Sequence, residues 1–188
     1  MKIKYFLLFL IPFFVIFLNL KLLIFDHDFY NYNNKDVNEN LLSYLNNKEE
    51  LKFNYTTKEL IHLEDVKSLV NTLNFIVYAL GLLIILFLVF NKNDISDVLI
   101  ISGIIIIVVI AVLFLIDFDF LFTKFHKISF TNNYWLLDEN TLLIKTYPIE
   151  FFTEFFKRLV LNITITSLIV IGFGILKNVH KQYKSRAG

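Results

Sequence analysis

The sequence contains no cysteine and almost no net charge: eighteen basic residues stand against seventeen acidic ones in 188 residues, for a balance of +1. Without cysteine there is no disulfide, no thiolate nucleophile and no thiolate metal site, and cysteine usage gives no clue to the redox compartment. Without a charge excess there is no bulk electrostatic case for a nucleic acid partner. The phosphate-binding loop, the dinucleotide glycine fingerprint, HExxH and GxSxG are also missing. What abounds is apolar: 56% of residues are hydrophobic, 22 are Phe, and the mean hydropathy is +0.62. A soluble domain of this length has no core large enough to hide that much apolar surface. The composition therefore predicts an all-α integral membrane protein, and with no internal repeat or linker it predicts one domain.

Four membrane helices are expected, at about 5–25, 69–90, 98–116 and 159–176. The first begins as a signal peptide does, with Lys2 and Lys4 before an apolar run. No small-residue cleavage site follows, however, and the apolar stretch resumes after Lys21, so the reading is an uncleaved span. Pro12 inside it is tolerable where neighbouring helices satisfy the freed carbonyl. In the long segment 26–68, Asp36 with Glu39 predicts a capped start for a short amphipathic helix near 37–46. Thr56-Thr57-Lys58-Glu59 repeats that pattern before ELIHLEDVKSLV, expected to run unbroken into the second span. NKNDISD at 91–97 reads as a short polar turn. Pro148 marks the start of the last helix, which is expected to lie along the interface through FFTEFFKR before crossing; KNVHKQYKSRAG is left as a tail.

Four spans put both termini on one side, and both ends are basic: Lys2 and Lys4 at one, Lys177, Lys181, Lys184 and Arg186 at the other. That side is expected to be cytoplasmic. Segments 26–68 and 117–158 then face outward together as a cap. The first of them is acidic, with nine Asp and Glu against five Lys.

The stretch Phe125–Phe152, FHKISFTNNYWLLDENTLLIKTYPIEFF, carries the densest mixture of chemistry. It is too long for a connector and too rich in Phe, Leu, Ile and Trp for disorder, so it is expected to fold. Topology brings its His126 toward His62, each about two turns outside a span and on the same side. Two imidazoles at a water–lipid boundary can act as general base and general acid near neutral pH, or can be amphipathic interface residues. Asp65, three residues after His62, is placed on the neighbouring helical turn to orient that imidazole, or to pair with Lys58 or Lys67. Asn132 and Asn133 fit a turn or an oxyanion donor, and Tyr134 and Trp135 fit an interfacial aromatic belt. His180 in the basic tail reads as surface. His27 within Asp26-His27-Asp28 is a poor metal site, and no metal or cofactor is expected. Asn71, Asn74 and Tyr78 in the second span, with Asn162, Thr164 and Thr166 in the fourth, are expected to bond between helices.

Three blocks carry a family resemblance: Phe29-Tyr30 through Tyr32, ELIHLEDVKSLV at 59–70, and the stretch 125–152. In the second, His62 is followed by Asp65-Val66-Lys67. In the third, Phe125-His126 precedes Phe130, Asn133, Trp135, Leu143-Ile144 and Pro148-x-x-Phe151-Phe152. In these features the chain resembles the small four-span membrane family that contains bacterial lipoprotein intramolecular transacylase. It departs from the pattern at Leu63, where the family tends to have Met, and at Asn140-Thr141-Leu142, where an acid is usual. The resemblance implies acyl transfer at the outer membrane face, from the diacylglyceryl group on a lipoprotein's N-terminal Cys to that Cys's own amine, leaving a lyso, N-acylated product. It implies His62 and His126 as the catalytic pair with Asp65 in support, Tyr30, Lys67, Asn133 and Trp135 on the substrate side, and membrane lipids and a diacylglyceryl lipoprotein as partners. A membrane protein that binds lipid or a partner through its outer cap, without catalysis, is the other reading open at this stage.

Overall fold

The computed structural model describes residues 2–30, 34–90 and 95–187, with backbone alone for 2–4 and 187. Among these residues the chain is all-helical: α1 (Lys2–Ile24), α2 (Lys35–Leu45), α3 (Thr57–Phe90), α4 (Ser96–Phe114), α5 (Phe118–Ser129), α6 (Leu142–Thr146) and α7 (Ile149–Ala187). Four of them, α1, α3, α4 and α7, are long and apolar enough to cross a membrane. Their apolar side chains stay largely uncovered, as at Phe75, Phe90, Leu115 and Leu176. That is the arrangement expected when lipid, not protein, covers the outer faces.

Contacts divide the chain into two compact units, and α1, α3 and α7 contribute to both. The first comprises ranges 1–19, 76–115 and 159–188. Its core joins Leu7, Ile11 and Val15 of α1 to Ile106 and Ile110 of α4 and Ile163 of α7. Small residues set how close α4 and α7 come. A Cβ on Gly103 would collide with Ile171 and meet the Ser167 carbonyl at 3.0 Å, and one on Gly174 would meet Ile100 at 2.7 Å and the Ser96 carbonyl at 2.9 Å. In lipid, such backbone approach replaces the hydrophobic drive to associate. Thr166 Oγ1 also donates to Asn19 Oδ1 at 3.2 Å, so the expected bonding between helices is found there; Thr164 Oγ1 instead donates to its own helix at Val160.

The second unit comprises ranges 20–75 and 116–158 and holds every candidate site residue. Leu41, Tyr44 and Leu45 of α2, Tyr55, Leu63 and Val70 at and along α3, and Leu143 and Tyr147 form its core. The capping pattern at the start of α3 forms as expected. Thr56 N and Thr56 Oγ1 donate to Glu59 Oε2 at 2.7 and 2.8 Å, and Glu59 N donates back to Thr56 Oγ1 at 3.3 Å. Glu59 is fully buried, and its other oxygen, Oε1, accepts Leu143 N at 2.8 Å. One carboxylate thus ties the start of α3 to the first turn of α6, 84 residues away.

Several expectations are corrected. The predicted cap at Asp36 is not used: α2 begins at Lys35 after Asn34 in a left-handed conformation (φ 45°), and Glu39 faces Lys35 at 3.7 Å on the surface. The tail 177–187 is not separate, because α7 continues through it. Within 117–158 the chain forms α5 and α6, neither of which was expected by position. The predicted turn 91–97 falls mostly outside the described residues, as do Tyr32 and the side chains of Lys2 and Lys4, while Ser96 and Asp97 already belong to α4.

Glu59→Ala removes the acceptor of three donors, at about 1–3 kcal/mol for a buried group left unpaired. A lower thermal midpoint in detergent is expected, with Glu59→Gln losing less because its amide oxygen still accepts. An unchanged midpoint in Glu59→Ala would contradict this role.

Candidate active site

The site is built from two helical stripes. On α5, Asp117 caps the helix by accepting Phe120 N at 3.0 Å. Phe118, Phe122 and His126 then recur every fourth residue and share one face. Phe118 lies 5.6 Å from Phe156 and Phe122 lies 5.2 Å from Phe152, so this stripe packs along the first turns of α7 and carries His126 inward. On α3, His62 follows one turn after Glu59.

The two imidazoles meet with ring centroids 6.1 Å apart and planes 32° from parallel. Phe130 touches both, edge-on to His62 at 5.1 Å and 5.6 Å from His126. Around His126 stand Phe122 at 4.2 Å, Trp135 at 4.9 Å and Phe125 at 5.5 Å. His126 is 9% exposed, and His62 is half-buried with an Nδ1 that has no hydrogen-bond partner. His126 Nδ1 lies 2.7 Å from the Phe122 carbonyl. A carbonyl only accepts, so Nδ1 carries the proton, and in the neutral ring the lone pair is on Nε2.

Burial lowers both imidazoles' affinity for a proton. His62 is pushed from its ordinary 6.5 down to about 4, by desolvation first and then by His126, against an opposing pull from the Asp65 carboxylate. His126 is also lowered by burial, and the Phe122 carbonyl works the other way. Near pH 7 the pair is therefore neutral: His126 offers the Nε2 lone pair, its N–H being held by the Phe122 carbonyl, and His62 offers one N–H and one lone pair, among aromatic rings.

The other expected residues separate into those at the pair and those elsewhere. Trp135 is at the pair. Asp65 does not hold His62: its Oδ2 accepts Asn132 Nδ2 at 2.8 Å, and no hydrogen bond joins it to either imidazole. Its influence on His62 is that of a nearby charge. Asn132, not Asn133, makes the side-chain contacts, while Asn133 is exposed and its backbone carbonyl accepts Leu136 N. Tyr30 packs against Phe151 at 5.5 Å and Tyr147 at 6.4 Å. Its carbonyl accepts the amide of Asn38, whose Oδ1 accepts the Tyr147 hydroxyl at 2.7 Å. This is structural packing rather than an exposed contact. Lys67 lies 3.9 Å from the Tyr44 ring centre, in an open groove of about 650 Å³ that also includes Glu50, Glu64 and Asn71 and neither histidine. His27 and His180 are exposed. Among the described residues no three His, Asp or Glu converge to hold a metal.

The titration of His62 is directly measurable. Imidazole nitrogen NMR of the protein labelled at histidine is expected to show His62 neutral at pH 6, reaching half-protonation only near pH 4, and His126 fixed as the Nδ1–H tautomer. A His62 that titrates at or above 6.5 would contradict the burial account.

The fold and the sequence both have known counterparts. The family model described as lipoprotein intramolecular transacylase Lit matches residues 5–152. The membrane integral lipoprotein intramolecular transacylase Lit from Bacillus cereus, solved in meso, superposes with a TM-score of 0.86 at 22% identity, covering 97% of this chain and 97% of that one. Two forms of the same Bacillus cereus protein, with one histidine replaced by arginine or by alanine, give TM-scores of 0.79 and 0.81 at 20% identity. Each covers 97% of this chain, and 93% and 94% respectively of theirs. No curated protein matches. The solved structures share the four-span fold, and the family model spans both histidine blocks: this chain belongs to the lipoprotein intramolecular transacylase family.

Proposed function

We propose that this chain is a membrane acyltransferase that moves an acyl chain from the diacylglyceryl group of a lipoprotein to the amine of the same N-terminal Cys. The observation that carries the reading is the pair of imidazoles, 6.1 Å apart and bordered by aromatic rings, in a member of this family. The reaction needs a base for the amine, a donor for the ester oxyanion and a proton for the leaving alkoxide. His126 Nε2 takes the amine proton as nitrogen attacks the ester carbonyl, and its Nδ1–H stays anchored on the Phe122 carbonyl. An N–H of neutral His62 donates to the oxyanion. As the C–O bond breaks, the imidazolium returns its proton to the alkoxide, so one amide forms, one hydroxyl is released and the pair ends neutral.

Donor and acceptor belong to one molecule, so positioning supplies much of the rate; effective molarities for well-oriented intramolecular reactions reach ~10⁵ M or more. No covalent intermediate on the protein is needed, which suits a chain without cysteine. In this reading both termini are cytoplasmic and segments 26–68 and 117–158 face outward, supported by the basic residues Lys177, Lys181, Lys184 and Arg186 after the apolar part of α7.

The test is mass spectrometry of lipoprotein N-termini in a host that makes diacylglyceryl lipoproteins and lacks its own N-acylation. The unmutated chain is expected to yield lyso, N-acylated termini, whereas His62→Ala and His126→Ala accumulate in the membrane and leave a free amine. Free amines in all three strains would reject the transacylase reading. N-acylation by His62→Ala at the unmutated level would reject the role of His62.

A further inference from the structure

We propose that Asn132 is a positioning residue: it holds the Asp65 carboxylate beside His62, as a through-space counter-charge to the imidazolium that forms on the neighbouring His126 during transfer. The proposal rests on the transacylase reading above and extends it to a residue outside the histidine pair.

The geometry of Asn132 leaves little choice of orientation. Its Oδ1 lies 3.0 Å from Tyr134 N, which can only donate, so the oxygen must face that N–H. The NH₂ group is then turned to Asp65, where Nδ2 donates to Oδ2 at 2.8 Å across 67 residues of chain. Asp65 is three residues after His62 on α3, and side chains so spaced begin about 5–6 Å apart at Cβ. Among the described residues no salt bridge joins a lysine to Asp65.

The charged and titratable groups facing His62 are correspondingly few. From α3 there are Glu59 one turn before His62 and Asp65 one turn after it, and from α5 there is His126. The segment after α5 presents Phe130 and Trp135, with Asn132 at Asp65 and Tyr134 exposed. The Glu59 oxygens are already taken by Thr56 and Leu143 N, so positive charge on His126 is met through space by Asp65, across the 6.1 Å between the rings. Without such a partner, an ion among aromatic rings is expensive. A carboxylate released from Asn132 would turn toward water, where its field is screened.

A merely structural turn residue and a residue acting through Asp65 predict different double-mutant behaviour. The test uses the purified full-length chain in detergent with a synthetic diacylglyceryl lipopeptide, recording the rate–pH profile for Asp65→Asn, Asn132→Ala and the double variant, with thermal midpoints for all. Asp65→Asn is expected to slow transfer about tenfold, the equivalent of one pKa unit of lost interaction. It is also expected to move the acid limb to lower pH, because an imidazole without its counter-charge binds a proton less well. Asn132→Ala is expected to move the limb in the same direction, and the double variant to be no slower than Asp65→Asn alone. Should the Ala variant unfold, Asn132→Leu, which keeps the volume, takes its place with the same expectation. Full additivity, an unmoved acid limb in Asn132→Ala, or unaltered transfer by Asp65→Asn would each overturn the proposal while leaving the transacylase reading intact. Absence of transfer by the unmutated chain would overturn both.

Discussion

Glu59 is the interaction on which the second unit depends. A carboxylate is among the groups least often fully buried, and it is tolerated only when its oxygens are satisfied. Here Thr56 N and Thr56 Oγ1 take one oxygen and Leu143 N takes the other. The bond is at once a helix cap and a tie between distant segments. It fixes where α3 starts, and therefore which way His62 points one turn later. It also fixes the far end of the stretch whose near end carries His126, Phe130 and Trp135. Few contacts hold this stretch by regular structure, since α6 has five residues and much of 130–141 is turn. A buried hydrogen bond to a charged-type acceptor supplies the definition that secondary structure does not.

The chemistry at the pair follows from the same preference for burial. Burial of the imidazoles among aromatic rings favours their uncharged form. A neutral pair suits a reaction in which one proton leaves an amine and reaches an alkoxide. The opposing requirement is that an imidazolium form in passing. The Phe122 carbonyl under His126 and the carboxylate near His62 answer it, and neither is strong enough to protonate the resting pair.

Much of this was legible in the sequence because it is periodic or compositional. Long apolar runs announce membrane helices whatever their packing, and the Thr56–Glu59 box announces the start of α3. His62 and His126 were legible as a pair because a short turn between two spans makes their outer ends neighbours. What was not legible is set by pairs of residues far apart in the chain. The second oxygen of Glu59 finds Leu143, and Asp65 finds Asn132; nothing local to either residue specifies its partner. α5 was missed although its signals were present, with Asp117 as a cap and Phe118, Phe122 and His126 at helical spacing, because the apolar span before it drew the boundary at residue 116. The cap placed on Asp36 failed for a different reason: the chain enters α2 two residues earlier, through a left-handed Asn34. Tyr30 and Lys67 were grouped with the site by resemblance, whereas Tyr30 is claimed by aromatic packing and Lys67 by the ring of Tyr44.

The central claim is that a histidine pair transfers an acyl chain within one substrate molecule. The most direct measurement mixes two synthetic diacylglyceryl lipopeptides, one with isotope-labelled acyl chains and a peptide of different mass, with the purified protein. The account predicts that every N-acylated product carries an acyl chain from its own parent, with none crossed. Crossed products in proportion to the mixture would contradict it, because the acyl chain would then have left one molecule before reaching the amine of another.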